Sequence, residues 1–313
     1  MNLKLAIIGC GKIGHENSLF KNKLDYSYFG TVGQIKKTDI VAICDKNKKK
    51  LQNIYLKNKQ LKKYTSYKNI FKENKVDIAI ISTPDATHYD ILKYLIKCNL
   101  KGIIIEKPAL KNLKQIDFII KNNTKKIPIQ INYSRRFIKE YHSIKKNIKN
   151  NFYGKILSIN FTFSGGIFHN GCHFFDLCTF LIGKINFENS FLKRKSSYIK
   201  NDYYGLYVFK KKNIKIIFNV LNEKSSIHEK IEIITKKNTL IINNNEEIIF
   251  FRKKKNSNYK NYYVNSFSHL KKIQTSKAIY NNFINLLFFI KNKKKLISPI
   301  TNEILWHKIK KEI

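Results

Sequence analysis

Gly9-Cys10-Gly11-Lys12-Ile13-Gly14, emptying out of the apolar run at residues 3–8, is the stretch on which the fold turns. Six apolar-rich residues followed by Gly-x-Gly-x-x-Gly read as a buried strand, a tight turn and the start of a helix. Gly9 allows the turn, Gly11 lets a backbone approach a pyrophosphate, and Gly14 lets the helix sit close to the sheet. The helix start, from about Lys12, offers N–H groups and partial positive charge to phosphates. Lys12 and Ile13 complete this candidate dinucleotide loop.

Downstream, short apolar runs alternate with amphipathic stretches, the pattern of βαβ units. The strand at 39–44 ends in Asp45, whose carboxylate suits the adenosine ribose hydroxyls and argues for NAD over a 2′-phosphate. Lys46 and Lys48 soften that preference and keep NADP in view. Asp45 lies further from Gly14 than the usual roughly twenty residues. The excess falls in residues 22–37, with Tyr26, Tyr28, Phe29 and Gly30, read as a packed surface insertion or subunit contact at the amino end of the sheet. A strand at 76–81 runs into Ser82-Thr83-Pro84, with Thr87 placed to cap the next helix and His88 in its first turn. The strand at 102–105 empties into Glu106-Lys107-Pro108. Ligands of open α/β sheets collect at the carboxyl ends of the strands, so Lys107 is placed to touch chemistry. A helix at 112–122 and a strand at 128–131 follow.

After Tyr133 the pattern changes. A helix at 136–150, a strand at 155–164, a Gly-rich turn and a helix at 172–181 precede five short runs, at 203–210, 214–221, 231–234, 240–242 and 248–251. These read as a mostly antiparallel sheet of consecutive hairpins. Helices at 278–291 and 302–311 close the chain. The expected fold is α/β: a Rossmann doubly wound parallel sheet over residues 1–125, then an α+β domain over 126–313 with a mostly antiparallel open sheet. The C-terminal helices are free to pack back on the first domain.

The 313 residues carry 61 basic and 21 acidic side chains, a formal charge of +40. Only Arg135, Arg136, Arg194 and Arg252 are arginines, so 57 of the 61 are lysine. Nucleic-acid sites favour arginine, which forks onto phosphate or guanine and stacks on bases. With Ile, Asn, Phe and Tyr also abundant, all with A/T-rich codons, the charge reads as coding bias on a solvated surface; a basic nucleic-acid-binding protein is the lesser alternative. None of the five cysteines makes a Cys-x-x-Cys pair, which fits a reducing compartment. No signal peptide is read at the start, and the apolar stretch at 279–290 is too short to span a bilayer. The expected location is the cytoplasm, away from membranes.

The ordered set of motifs resembles the Gfo/Idh/MocA family of NAD(P)-dependent oxidoreductases: the glycine loop, Thr83-Pro84 with His88, Glu106-Lys107-Pro108, Arg135-Arg136-Phe137, Gly154-Lys155-Ile156 and Gly171-Cys172-His173-Phe174-Phe175-Asp176. The resemblance covers essentially the whole chain, through Ser298-Pro299. It implies an NAD cofactor, with NADP kept open, and hydride transfer at a carbinol or ketone carbon of a sugar, inositol or nucleotide-sugar. It also implies a homodimer or homotetramer built on the open sheet. Thr83, Pro84, His88 and Glu106 would then line the cofactor, Lys107 would face the substrate hydroxyl, and His173 would approach from the second domain. A base near neutral pKa suits His173, with Lys107 bonding the developing alkoxide, although either residue could be the base.

One departure matters. The family's aspartate four residues before the histidine is here His169, followed by Asn170. These two and Arg136 become substrate-binding candidates, in a variant that looks like that of surface-polysaccharide members. The missing carboxylate also leaves room for an NAD-binding member without dehydrogenase activity. His169, His173 and Asp176 have a zinc-compatible i, i+4, i+7 spacing, but Gly165, Gly166 and Gly171 interrupt the helix it needs, so no metal site is expected.

Overall fold

The computed structural model describes residues 2–16, 26–52, 54, 61–292 and 295–313. The chain divides into two compact units, Met1–Phe137 with Ser276–Ile304, and Ile138–Thr275 with Leu305–Ile313. The first unit thus reaches beyond residue 125 and takes in a late segment of the chain.

In the first unit, β1 (Leu3–Ile8), β2 (Thr38–Cys44), β3 (Lys62–Tyr64), β4 (Ile78–Ile81), β5 (Gly102–Ile105) and β6 (Ile129–Ile131) form a parallel sheet in the order β3-β2-β1-β4-β5-β6. This is the doubly wound Rossmann order. Strands β4 and β5 are buried throughout and read as unbroken apolar runs, as central parallel strands must. The short helix α1 (Tyr28–Val32) and the late helix α8 (Ala278–Asn292) supply Tyr28, Val32, Ile279, Phe283 and Leu286 to the core around Leu5, Ile7, Ile80 and Ile104. Helices α2 (Lys48–Gln52), α3 (Tyr67–Glu73), α4 (His88–Leu95) and α5 (Leu113–Asn122) complete the crossovers. Asn112 caps α5, its side-chain oxygen accepting from Gln115 N at 3.0 Å.

Four sequence expectations change here. β3 and α3 were not foreseen, because β3 is three residues long, two of them lysines, at the sheet edge. Thr87 does not cap α4: its hydroxyl lies 2.8 Å from Pro84 O and 2.7 Å from Thr83 Oγ1 within a 3₁₀ turn, Asp85–Thr87. The helix expected from Lys12 begins as turns, with His15 N and Glu16 N both on Gly11 O at 2.8 and 3.0 Å, while residues 17–25 lie outside the described residues. Among the described residues the first α-helix is α1, and it is seated on the glycine loop: Tyr28 N donates to Ile13 O at 2.8 Å and Phe29 N to Gly14 O at 3.0 Å. The start of α1 thus lies beside the loop after β1. The expected placement at the amino end holds only for the turn after α1, where Leu3 N meets Lys37 O.

In the second unit, β7 (Ile156–Ser164), β8 (Asn186–Lys195), β9 (Tyr203–Lys211), β10 (Ile214–Leu221), β11 (Glu229–Thr235), β12 (Asn238–Asn243), β13 (Glu247–Lys255) and β14 (Tyr263–Lys272) form one sheet, in the order β14-β13-β12-β11-β7-β10-β9-β8. It is mostly antiparallel. The run of consecutive hairpins is broken, however, because β7 lies between β11 and β10 and pairs in parallel with β10. Ile159, Phe161 and Phe163 of β7 are wholly buried and need strand neighbours on both sides, which adjacency in sequence does not reveal. Helices α6 (Lys139–Lys149) and α7 (Gly171–Ile182) belong to this unit, and Phe174 of α7 stacks on Phe163 with ring centroids 4.3 Å apart. The edge strands β8 and β14 are mostly exposed, with their apolar residues scattered among polar and charged ones, so no apolar pattern announced them. The final helix, α9 (Asn302–Lys310), contains the boundary between the units.

Two carboxylates of the first unit make testable contributions. Glu303 is fully buried and accepts from Ala109 N at 2.6 Å, Leu110 N at 3.1 Å and Tyr133 Oη at 3.2 Å. Glu303→Ala leaves those donors without their acceptor and should cost about 3 kcal/mol or more, read as a lower denaturation midpoint at unchanged m-value. Asp77 accepts from Lys4 N and from Lys101 Nζ, each at 2.9 Å. Burial pushes its carboxyl up, but the Lys4 N–H and the Lys101 ammonium outweigh that and leave it below its ordinary value. Its contribution is therefore present above the unfolded carboxyl value of about 3.9 and is lost as pH falls through the lower folded value. Asp77→Asn should flatten the acid limb of a stability–pH curve and leave its alkaline side unchanged in shape.

Candidate functional site

The site of the first unit is assembled from strand ends. The loops after β1, β4 and β5 leave three adjacent strands on the same edge of the sheet. Gly9 has φ 100°, and a Cβ on it would stand 2.5 Å from Ser82 O. A Cβ on Gly14 would meet Gly9 O at 2.0 Å and Ser82 Oγ at 2.8 Å. Gly11 differs, since the nearest atom to its Cβ position is Lys50 Nζ, 3.9 Å away. Two glycines thus permit close packing within the protein, while the third opens onto space that a phosphate chain can use. Lys12 and Ile13 are exposed beside it.

Asp45 follows β2. Its Oδ2 accepts from Cys10 N at 2.9 Å and its Oδ1 from Asn47 N at 2.8 Å. Each oxygen keeps a second lone pair, which can accept from a ribose hydroxyl. Lys50 pairs with Glu16 at 2.7 Å, between the ends of β1 and β2. Cys10 and Cys44 lie beneath this corner, where burial and the Asp45 charge push both thiols up to about 12. They are packing residues, not nucleophiles.

Thr83 is half-buried and Pro84 exposed at the end of β4. His88 is buried and turned inward, with Nδ1 2.9 Å from Pro108 O and Nε2 2.9 Å from Thr83 O. It spans the turn after β4 and the turn after β5. Glu106 and Lys107, both half-buried, begin the latter turn, which contains a cis Lys107-Pro108 bond. Glu106 Oε1 accepts from Asn132 Nδ2 at 2.6 Å and from Tyr28 Oη at 3.0 Å. Burial pushes the Glu106 carboxyl up; the Asn132 and Tyr28 donors and the charges of Lys107 and His88 oppose it. Arg136, half-buried in a 3₁₀ turn after β6, donates from Nη1 to Ile297 O at 3.3 Å.

In the second unit His169, Asn170 and His173 lie on one continuous run, a π turn (Gly166–Asn170) leading into α7. His169 is exposed and His173 half-buried. The turn is held by Asp202, whose two oxygens accept from Phe168 N and His169 N, each at 2.8 Å. Gly166 makes room for it: with φ 76°, its Cβ would fall 2.2 Å from Asp202 Oδ2. Asn170 Nδ2 donates to Ser164 O at 2.8 Å and closes the turn from inside. Among the described residues no group of three or more His, Cys, Asp or Glu side chains is arranged to hold a metal ion.

Three supporting residues escaped the sequence reading. Asn132 follows β6 as Glu106 follows β5, a positional signal that was available. Asp202 is one of only 21 acidic residues in a strongly basic chain, and its near-complete burial is invisible from sequence. Tyr28 sits in the stretch read as a surface insertion.

The strand order, the glycine loop and the acidic end of β2 define a dinucleotide-binding Rossmann unit. Residues 3–128 match the family model described as oxidoreductase family, NAD-binding Rossmann fold. Over these residues, about two-fifths of the chain, it resembles the Gfo/Idh/MocA oxidoreductases. Among curated proteins, the inositol 2-dehydrogenase of Salmonella paratyphi B is 26% identical over 163 residues, which are 51% of this chain and 45% of that protein. The chain thus spans about half the length of the curated relatives it matches. Among solved structures, a dehydrogenase (MviM) from Clostridium difficile has a TM-score of 0.77 at 18% identity, covering 100% of this chain and 99% of that one. An oxidoreductase from Agrobacterium radiobacter, solved in complex with NAD+, L-tartaric acid and magnesium, has a TM-score of 0.77 at 15% identity, covering 99% and 94%. At these identities the likeness is one of fold. It extends over both units.

The glycines separate folding from binding. Gly14→Ala forces backbone apart and should lower Tm sharply, whereas Gly11→Ala should leave Tm unchanged. Gly11→Ala should nevertheless weaken NAD by at least about tenfold, or 1.4 kcal/mol, in a calorimetric titration.

Proposed function

We propose that the protein is an NAD-dependent dehydrogenase acting on a ring carbinol of a sugar, cyclitol or nucleotide-sugar. The observation that carries this reading is the convergence of the glycine loop, the Thr83-Pro84 turn and the Lys107 turn on the ends of three adjacent strands. Gly9, Gly11, Lys12, Ile13 and Gly14 would hold the pyrophosphate and Asp45 the adenosine ribose. Thr83, Pro84 and Glu106 would border the nicotinamide ribose, with His88 behind them as a tie between turns. Asp45 favours NAD, and Lys46 and Lys48 just after it keep NADP in view. When bound, the nicotinamide accepts or returns a hydride.

The proton is the protein's part. As the carbinol carbon gives up its hydride, its hydroxyl proton passes to His173, and Lys107 hydrogen-bonds the developing alkoxide. His169, Asn170 and Arg136 are assigned to hydroxyl or phosphate groups of the substrate. Asp202 supports this assignment indirectly, since it gives the His169 turn a fixed backbone from which to present its side chains. The inositol dehydrogenases among the relatives favour a cyclitol or sugar as the first substrates to try. We place the reaction in a reducing, cytoplasmic compartment, consistent with the absence of disulfides among the five cysteines. Among the described residues no helix is long and apolar enough to cross a membrane.

We also propose a homodimer or homotetramer formed through the second unit's sheet. Phe191 on β8 and Phe267 and Leu270 on β14 are large apolar side chains left 49, 62 and 45% exposed. They lie at the two opposite edges of the sheet, and exposed apolar side chains at either edge favour a partner surface. Sedimentation should show an oligomer that Phe267→Glu weakens; a monomer at all concentrations would contradict it.

The catalytic reading is tested by NADH formation with NAD and a panel of myo-inositol, hexoses and UDP-hexoses. Lys107→Ala and His173→Ala should each lower kcat by about 10²- to 10⁴-fold while NAD still binds. NAD binding without turnover across the panel would favour a cofactor-binding protein without dehydrogenase activity, and absence of NAD binding would remove the reading altogether.

A further inference from the structure

Tyr28 is wholly buried in the core of the first unit, among Leu5, Ile7, Ile104 and Phe283. A phenylalanine would fill that space equally well. A phenol in an apolar core is costly unless its hydroxyl is bonded, so the hydroxyl needs a reason of its own. That reason is the 3.0 Å bond to Glu106 Oε1, the residue immediately before Lys107. The opposite end of Tyr28 is equally constrained, for its backbone N–H donates to Ile13 O inside the glycine loop at 2.8 Å.

One rigid residue therefore bridges the loop after β1 and the turn after β5, passing over the strand between them. We propose that Tyr28 is a positioning residue of the Lys107 turn and that it couples this turn to occupancy of the glycine loop. The proposal rests on the dinucleotide reading of that loop.

The rest of the surroundings makes Glu106 a stiff receiver. Asn132 Nδ2 donates to the same oxygen at 2.6 Å, Asn282 Nδ2 donates to Asn132 Oδ1 at 2.8 Å, and Gln130 Nε2 donates to Asn282 Oδ1 at 2.8 Å. This buried chain of amides anchors one side of the carboxylate to β6 and α8. Tyr28 is the second donor to that oxygen and the member attached to the glycine loop. Displacement of Ile13 by a phosphate chain is transmitted through the Tyr28 backbone and ring to Glu106, which cannot follow without loading the amide chain. Donors to a carboxylate favour its charged form, so a change in the Tyr28 bond also changes the charge beside Lys107.

The test uses ADP, which fills the loop and lacks the nicotinamide half. The rate of reductive methylation of Lys107 is followed by peptide-resolved mass spectrometry, with and without saturating ADP. In the wild-type protein ADP should change that rate about fivefold, the low end of ordinary coupling between sites. In Tyr28→Phe the change should vanish although ADP binds within about twofold of wild type. Glu106→Gln keeps an acceptor for the phenol and should retain the coupling; Glu106→Leu should lose it. An undiminished ADP effect in Tyr28→Phe, or ADP binding with no effect on wild-type Lys107, overturns the proposal. If ADP and NAD both fail to bind the wild-type protein, the dinucleotide reading itself has failed, and the coupling falls with it.

Discussion

The close approach of the glycine loop to the end of β4 is the constraint on which the first unit's site depends. Gly9 and Gly14 pack against Ser82 so tightly that neither position has room for a Cβ. Ser82 answers with a 2.8 Å bond from its hydroxyl to Gly9 O. This contact draws the turns after β1 and β4 together and leaves Gly11 facing outward. Parallel pairing then brings the turn after β5 alongside. Once those three turns share one edge, the positions of Asp45, Thr83 and Lys107 follow from strand geometry alone.

What holds the turns in register is polar and buried. His88 spans the turns after β4 and β5 through two backbone carbonyls. Glu106 is gripped by Tyr28 and Asn132, and Glu303 takes the amides of Ala109 and Leu110 just beyond Pro108. A buried carboxylate is tolerable only with such donors, and each donor in turn fixes the backbone that carries it. The late segment of the chain earns its place in the first unit in this way, through Asn282 and Glu303. The second unit repeats the device with Asp202, which holds the turn bearing His169.

The elements legible in the sequence were those whose residues alone define their environment. β4 and β5 are continuous apolar runs, and the glycine spacing has few other uses. The doubly wound parallel sheet follows from alternating strands and helices once the first motif is recognised. The edge strands β3, β8 and β14 were not legible, because lysine and asparagine replace the apolar signal there. The insertion of β7 between β10 and β11 was hidden because pairing partners are non-local. Glu106 and Lys107 could be singled out by position, whereas the roles of Tyr28 and Asp202 depend on contacts 78 and 33 residues away, respectively. No periodicity encodes such contacts.

The central claim is that dinucleotide binding is built on these three strand ends, independently of the chain's large positive charge. Hydrogen–deuterium exchange with and without NAD, at physiological salt, tests it most directly. The account predicts slowed exchange at residues 9–14, 44–46, 82–85 and 106–108, with the lysine-rich strands of the second unit unchanged. Protection spread over those basic strands, or none at the glycine loop, would contradict it.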